Sequence, residues 1–99
     1  MTAESILSEA DRVTDLEKWA EYGCPKDNFE NISSLWNAYI NNKYKYVFAS
    51  KYGIELEPKD VSMMMILFKI CREQFAHKRD NLVDIAGYTK MAAILENIE

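Results

Sequence analysis

Residues 60–99, DVSMMMILFKICREQFAHKRDNLVDIAGYTKMAAILENIE, decide the fold. Val61, Met64, Met65, Phe68, Cys71 and Phe75 recur at steps of three and four, which places them on one side of a helix. Residues 76–79, Ala-His-Lys-Arg, break that apolar pattern. Leu82, Val83, Ile85, Ala86, Met91, Ala92, Leu95 and Ile98 then give a second helix a broad apolar face. The stretch reads as two amphipathic helices joined by a tight polar turn, with Asp80 as N-cap or first-turn acid of the second. It also holds the densest cluster of ionisable residues: Lys69, Arg72, Glu73, His77, Arg79, Asp80 and Asp84.

Upstream, Glu57-Pro58-Lys59-Asp60 is a helix start, with proline at the first helical position and acids in the first turn. Residues 43–56 are ambiguous. Lys43-Tyr44-Lys45-Tyr46-Val47-Phe48 alternates like a strand, but a lone strand has no partner, so the reading leans to helix or irregular structure. A helix is expected over 28–42 from Phe29, Ile32, Leu35, Trp36, Tyr39 and Ile40, with Asp27 and Glu30 in capping-box spacing and Asn41-Asn42 as its terminus. A first helix is expected over 3–13, with Thr2 as N-cap. A break at Thr14 and a short turn over 15–22 ending at Gly23 would follow. The expected fold is all-α, one domain over 1–99, a compact bundle of four to five helices.

The chain has 99 residues, enough for one core. A formal charge of −4 argues against non-specific nucleic-acid binding. Cys24 and Cys71 have no metal-ligand spacing and read as reduced thiols of a cytoplasmic protein, Cys71 in the core. The start of the sequence has no signal-peptide pattern, and the longest apolar run, 63–68, is too short to span a bilayer. The aromatic residues of 36–52 suggest a homo-oligomer.

Asp80 and Asp84 stand four apart on one helix face. Two such acids could hold Mg²⁺ beside a bound phosphate, or they could be a cap and a solvated side chain. Asp84 lies between Val83 and Ile85, and a carboxylate among apolar neighbours needs a partner. Lys69, Arg72 and Glu73 form a face of the preceding helix and can supply one. The set is thus either an ion-pair network between two helices or a phosphate site beside a metal site. His77 is either a turn residue or a phosphate donor.

Three pieces of the sequence resemble a family of small phage and prophage proteins of undefined function. They are Tyr22-Gly23-x-Pro25 with Phe29-x-x-Ile32 and Leu35-Trp36; Asp60-Val61 with Met64-Met65 and Lys69-x-x-Arg72; and His77-x-x-Asp80-Asn81-x-x-Asp84-Ile85-Ala86-Gly87-Tyr88. The last is similar to the closing acidic helix of the MazG-like all-α nucleotide pyrophosphohydrolases and of phage nucleotide-modification-associated domains. That resemblance implies Asp80 and Asp84 as Mg²⁺ ligands and Lys69, Arg72 and His77 as phosphate contacts for a nucleotide. The second acidic motif of those enzymes, two adjacent glutamates and a third three residues on, has no counterpart here; Glu17, Glu21, Asp27 and Glu73 are scattered. The expectation is a phage-derived nucleotide- or phosphate-ligand-binding protein with pyrophosphohydrolase activity left open. The alternative is a non-catalytic protein that counters host defence by sequestering a signalling nucleotide or binding a host protein.

Overall fold

The computed structural model describes residues 4–15, 25–45 and 53–98. Among them are four helices and no strand: α1 (Ile6–Val13), α2 (Pro25–Lys43), α3 (Pro58–Phe75) and α4 (Arg79–Leu95). The all-α expectation holds. The turn expected over 15–22 falls outside the described residues from 16 onward, as do 46–52 of the ambiguous stretch and Cys24.

Local chemistry sets the helix ends. The Ser5 hydroxyl, rather than Thr2, caps α1 by accepting from the Ser8 N–H at 3.0 Å. Thr14 closes α1, and its hydroxyl donates back to the Ala10 carbonyl at 2.6 Å. α2 starts three residues earlier than its apolar stripe implies, at Pro25, where a missing N–H costs nothing. α3 begins as expected after Glu57, whose N–H donates to the Asp60 carboxylate at 2.8 Å. Lys78 is the N-cap residue of α4, and Asp80 serves as its first-turn acid.

The core lies where α2, α3 and α4 meet. Phe29, Val61 and Met91 form its buried centre, flanked by Trp36, Met65, Tyr88 and Leu95. α1 lies against α4. Ala10 and Thr14 are buried there, and Gly87 permits the approach, since a Cβ at 87 would stand 3.2 Å from the Thr14 methyl. Two cations of α4 hold α1 in place. Arg79 pairs with Glu9 and donates to the Glu4 carbonyl at 2.6 Å, and the Lys90 ammonium lies 2.6 Å from the Asp11 carboxylate.

Two corrections concern α3. Met64, Phe68, Cys71 and Phe75 share a side as expected, but that side faces outward. Met64 and Phe68 are exposed, Phe75 is 94% exposed, and Cys71 is an exposed thiol rather than a core residue. Val61 and Met65, of the same expected face, do point inward, with Ser62 beside them and Lys69 and Glu73 continuing that side. The segment between α2 and α3 supplies the second finding. Residues 53–57 are not helical, and two asparagines of α2 hold them. The Asn41 amide accepts from the Ile54 N–H and donates to the Ile54 carbonyl, both at 2.7 Å. The Asn37 amide does the same with Leu56, at 2.7 and 3.0 Å. Four residues of helix rise about 6.0 Å and two residues of extended chain about 6.6 Å, so amides four apart can face backbone groups two apart. α2 ends at Lys43, one residue past the expected Asn41-Asn42 terminus, so Asn41 acts within the last turn.

Gly53 makes this clamp possible. Its φ is +62°, and a Cβ there would lie 2.4 Å from the Asn41 side-chain oxygen. Gly53→Ala should therefore cost about 2 kcal/mol or more in urea denaturation, from left-handed strain plus the clash. In an Asn41→Ala background the same change should cost only about 1 kcal/mol, because the clashing atom is gone. Equal costs in both backgrounds would show that the amide does not carry this segment.

Candidate functional site

The turn between α3 and α4 brings most of the expected site residues near one another and then divides them. Lys69 on α3 meets Asp84 on α4 directly, ammonium to carboxylate at 2.6 Å, with side chains only 16% and 29% exposed. Asp84 has the partner its apolar neighbours demand, and the pair bridges the two helices. Partial burial strengthens the attraction and makes loss of either partner costly for the other.

His77 and Glu73 form a separate group. His77 donates through Nδ1 to the Glu73 carboxylate. The other Glu73 oxygen accepts from the Lys78 N–H at 2.9 Å and from the Asn81 amide at 3.1 Å. Glu73, on the last turn of α3, thus holds the first residues of α4, and Asn81 is buried there. Together these contacts hold the Glu73 carboxyl down at about 2, with the His77 hydrogen bond the largest cause, then the Lys78 N–H, then Asn81. Glu73, expected on one face with Lys69 and Arg72 toward the acids of α4, instead holds the turn. Its offset of five from Lys78 and eight from Asn81 matters only once the helix has ended and turned.

Arg72 makes no ion pair with either group among the described residues, although it lines a pocket with Lys78 and Asn81. Its guanidinium lies over the Phe68 ring, 4.7 Å from the centroid, on the exposed side of α3. Asp80 is exposed in the first turn of α4. Lys69, Arg72 and His77 therefore do not converge on one point, and Asp84 shares its carboxylate with Lys69. Among the described residues, no group of three or more His, Cys, Asp or Glu side chains could hold a metal ion.

A pocket of about 310 Å³ opens on the other side of α4. α1 contributes Val13 and Thr14, α2 contributes Asn28, Phe29 and Ile32, and α4 contributes Val83, Asp84, Gly87, Tyr88 and Met91. Its lining is mostly apolar, and its polar groups are few: the Asn28 amide, the Asp84 carboxylate, the Tyr88 phenol and the Thr14 hydroxyl, which is donated to the Ala10 carbonyl. Burial, and next the charge of Asp84, push the Tyr88 phenol upward against the opposing effect of Lys69. Tyr88 is thus a hydrogen-bond donor at neutral pH. Concave, mostly apolar sites with a few convergent polar groups are the usual form of small-molecule sites. Asp84 belongs to this pocket and to the ion pair at once. Sequence reasoning found Asp84 but not Asn28 or Gly87, which reach the pocket only through the packing of α1 and α2 on α4.

The family model described as "Domain of unknown function (DUF6378)" matches residues 5–98. The chain is 38% identical to the Gene 55 protein of Mycobacterium phage L5 over 96 residues, covering 96% of this chain and 53% of that protein. It is 36% identical to the Gene 55 protein of Mycobacterium phage D29 over 87 residues, 87% of this chain and 50% of that protein. The chain thus spans about half the length of these relatives. No solved structure matches. The phage resemblance is shown by these matches; the likeness to MazG-like enzymes rests on the residue pattern alone.

The Glu73 contacts predict a pH dependence. An unfolded glutamate titrates near about 4.3. Because the folded group is held lower, its contribution is complete above the unfolded value and is lost as pH falls through about 2. Urea midpoints measured between neutral pH and pH about 2 should fall most below about 4.3. Glu73→Gln should show a shallower decline over that window, and His77→Ala an intermediate one. Parallel curves for all three proteins would refute this role.

Proposed function

This chain belongs to the DUF6378 family, and we propose that it is a phage-type binding protein for a nucleotide or nucleotide-like ligand, acting by sequestration in the host cytoplasm rather than by hydrolysis. The observation that carries the reading is the double position of Asp84, held by Lys69 on one side and forming a wall of the apolar pocket on the other. A carboxylate fixed by an ammonium is a good acceptor for the ring N–H and amino groups of a heterocycle. Phe29 and Tyr88 offer aromatic surface to such a ring, and Asn28 and the Tyr88 phenol can fix its orientation. The volume suits a nucleoside-sized group and is at the low end for a ligand site.

Hydrolysis is the weaker reading on physical grounds. Water activation by Mg²⁺ needs a cation held close to the phosphates. At Asp80 and Asp84 that cation would compete with Lys69 for Asp84. The phosphate contacts implied by the resemblance are engaged elsewhere, Arg72 with Phe68 and His77 with Glu73. No helix among the described residues is long and apolar enough to cross a membrane.

The test is a thermal-shift screen against nucleoside mono-, di- and triphosphates and cyclic nucleotides, with and without MgCl₂, paired with an assay for released phosphate and pyrophosphate. A ligand at a hundred times its Kd adds about 2.7 kcal/mol, which for a domain of this size raises Tm by about 10 °C or more. The expected result is such a shift without Mg²⁺ and with no turnover. Asp84→Asn should abolish the shift while the protein still melts cooperatively. No shift with any nucleotide would reject the ligand class, and Mg²⁺-dependent pyrophosphate release would reject sequestration in favour of catalysis. If Asp84→Asn is unfolded, the Lys69–Asp84 pair is a structural bridge first.

A further inference from the structure

We propose that two copies of this chain associate through the outward face of α3, antiparallel about a two-fold axis, with Phe75 of each copy seated in an aromatic groove of the other. The face is an apolar seam, crossed at Phe68 by the Arg72 guanidinium. Met64, Phe68, Cys71 and Phe75 follow one another at steps of four, three and four, the spacing of a helix-pairing surface. Between Asp60 and Arg72 the only charged residue is Lys69, and it is turned inward to Asp84. Leu67 widens the seam and is itself largely exposed.

The two ends of the seam are different and complementary. At the C-terminal end stands a knob, Phe75, 94% exposed. Near the N-terminal end lies a hole, an apolar groove between α2 and α3 lined by Trp36, Tyr39, Ile40 and Met64. An antiparallel pairing that brings Met64 opposite Phe75 of the other copy also brings Phe68 opposite Cys71. Under a two-fold axis every such contact occurs twice, as an isologous interface requires. A parallel pairing fails here, because Phe75 and the groove would stand eleven residues, roughly 16 Å, apart.

Charge selects the same orientation. In and beside the N-terminal end of α3 stand Glu55, Glu57 and Asp60 against Lys59, which pairs with Glu96, and in and beside the C-terminal end stand Arg72, Lys78 and Arg79 against Glu73 and Asp80. Antiparallel helices set the acids of one copy beside the bases of the other and oppose their dipoles favourably; parallel helices set like beside like. The exposed side chains of the seam, Met64, Leu67, Phe68 and Phe75, continue through the groove onto the exposed Tyr39, the kind of contiguous apolar face that marks an interaction surface.

Sedimentation of the full chain at micromolar concentration should give twice the mass of one chain. Phe75→Glu and Tyr39→Glu should each reduce it to one chain with unchanged helical circular dichroism. Register is tested with both native cysteines replaced by serine. Met64→Cys and Phe75→Cys proteins should form a disulfide-linked pair under oxidation only when mixed. A wild-type chain that sediments as a monomer overturns the proposal. Self-linking of either variant alone overturns the antiparallel register. A dimer that survives both glutamate substitutions moves the interface elsewhere. Should Phe75→Glu fail to fold, Tyr39→Glu and the mixed-thiol result decide.

Discussion

The carboxylate of Glu73 closes the turn on which the rest of the molecule depends. It sits on the last turn of α3 and accepts hydrogen bonds from His77, Lys78 and Asn81 at and beyond the break. Once α4 is fixed to α3 in this way, the direction of each α3 residue follows from helix geometry. Lys69, one turn before Glu73, faces α4 and meets Asp84, and Val61 reaches the core beside Met91. The opposite side, through Phe68, Cys71 and Phe75, stays exposed, with the Arg72 guanidinium laid over the Phe68 ring. One acid thus determines both the inner ion pair and the outer apolar seam.

The asparagine clamp complements that tie from the other end of α3. Extended backbone carries a donor and an acceptor at every residue, and leaving them unmatched beside a helix is costly. Asn37 and Asn41 satisfy Leu56 and Ile54 in both senses, as a neighbouring strand would. The clamp brings residues 53–57 alongside α2 and delivers the chain to Pro58 where α3 must start. Nothing in the sequence marks it, because an asparagine pair near a helix end usually signals termination, and its partners lie 13 to 19 residues away.

What the sequence made legible follows the range of the forces involved. Short-range signals were readable: the Glu57-Pro58 start, the break at 76–79 and the opposition of Lys69 to Asp84 all follow from spacing along the chain. The outward turn of the α3 seam was not. Periodicity shows that apolar side chains share a face but not what covers it, and a core stripe and a pairing seam have the same spacing. Cys71 was misplaced for that reason alone. The pocket was half legible: Asp84 stands out as an acid among apolar residues, whereas Gly87 and Asn28 acquire meaning only when α1 and α2 are laid on α4.

The two surfaces of the molecule are physically independent. The pocket is built from α1, α2 and α4 and takes no residue from α3. The seam lies on the far side of α3, with the Lys69–Asp84 pair between them. Association through α3 would therefore leave the pocket open, and binding in the pocket would leave the seam unchanged, unless the ion pair links the two. It is placed to do so. A ligand that draws on Asp84 loosens its hold on Lys69, and Lys69 anchors the inner side of the helix whose outer side would form the pair. Coupling would then run through a single contact of 2.6 Å, and its sign would be set by how far Lys69 follows its partner.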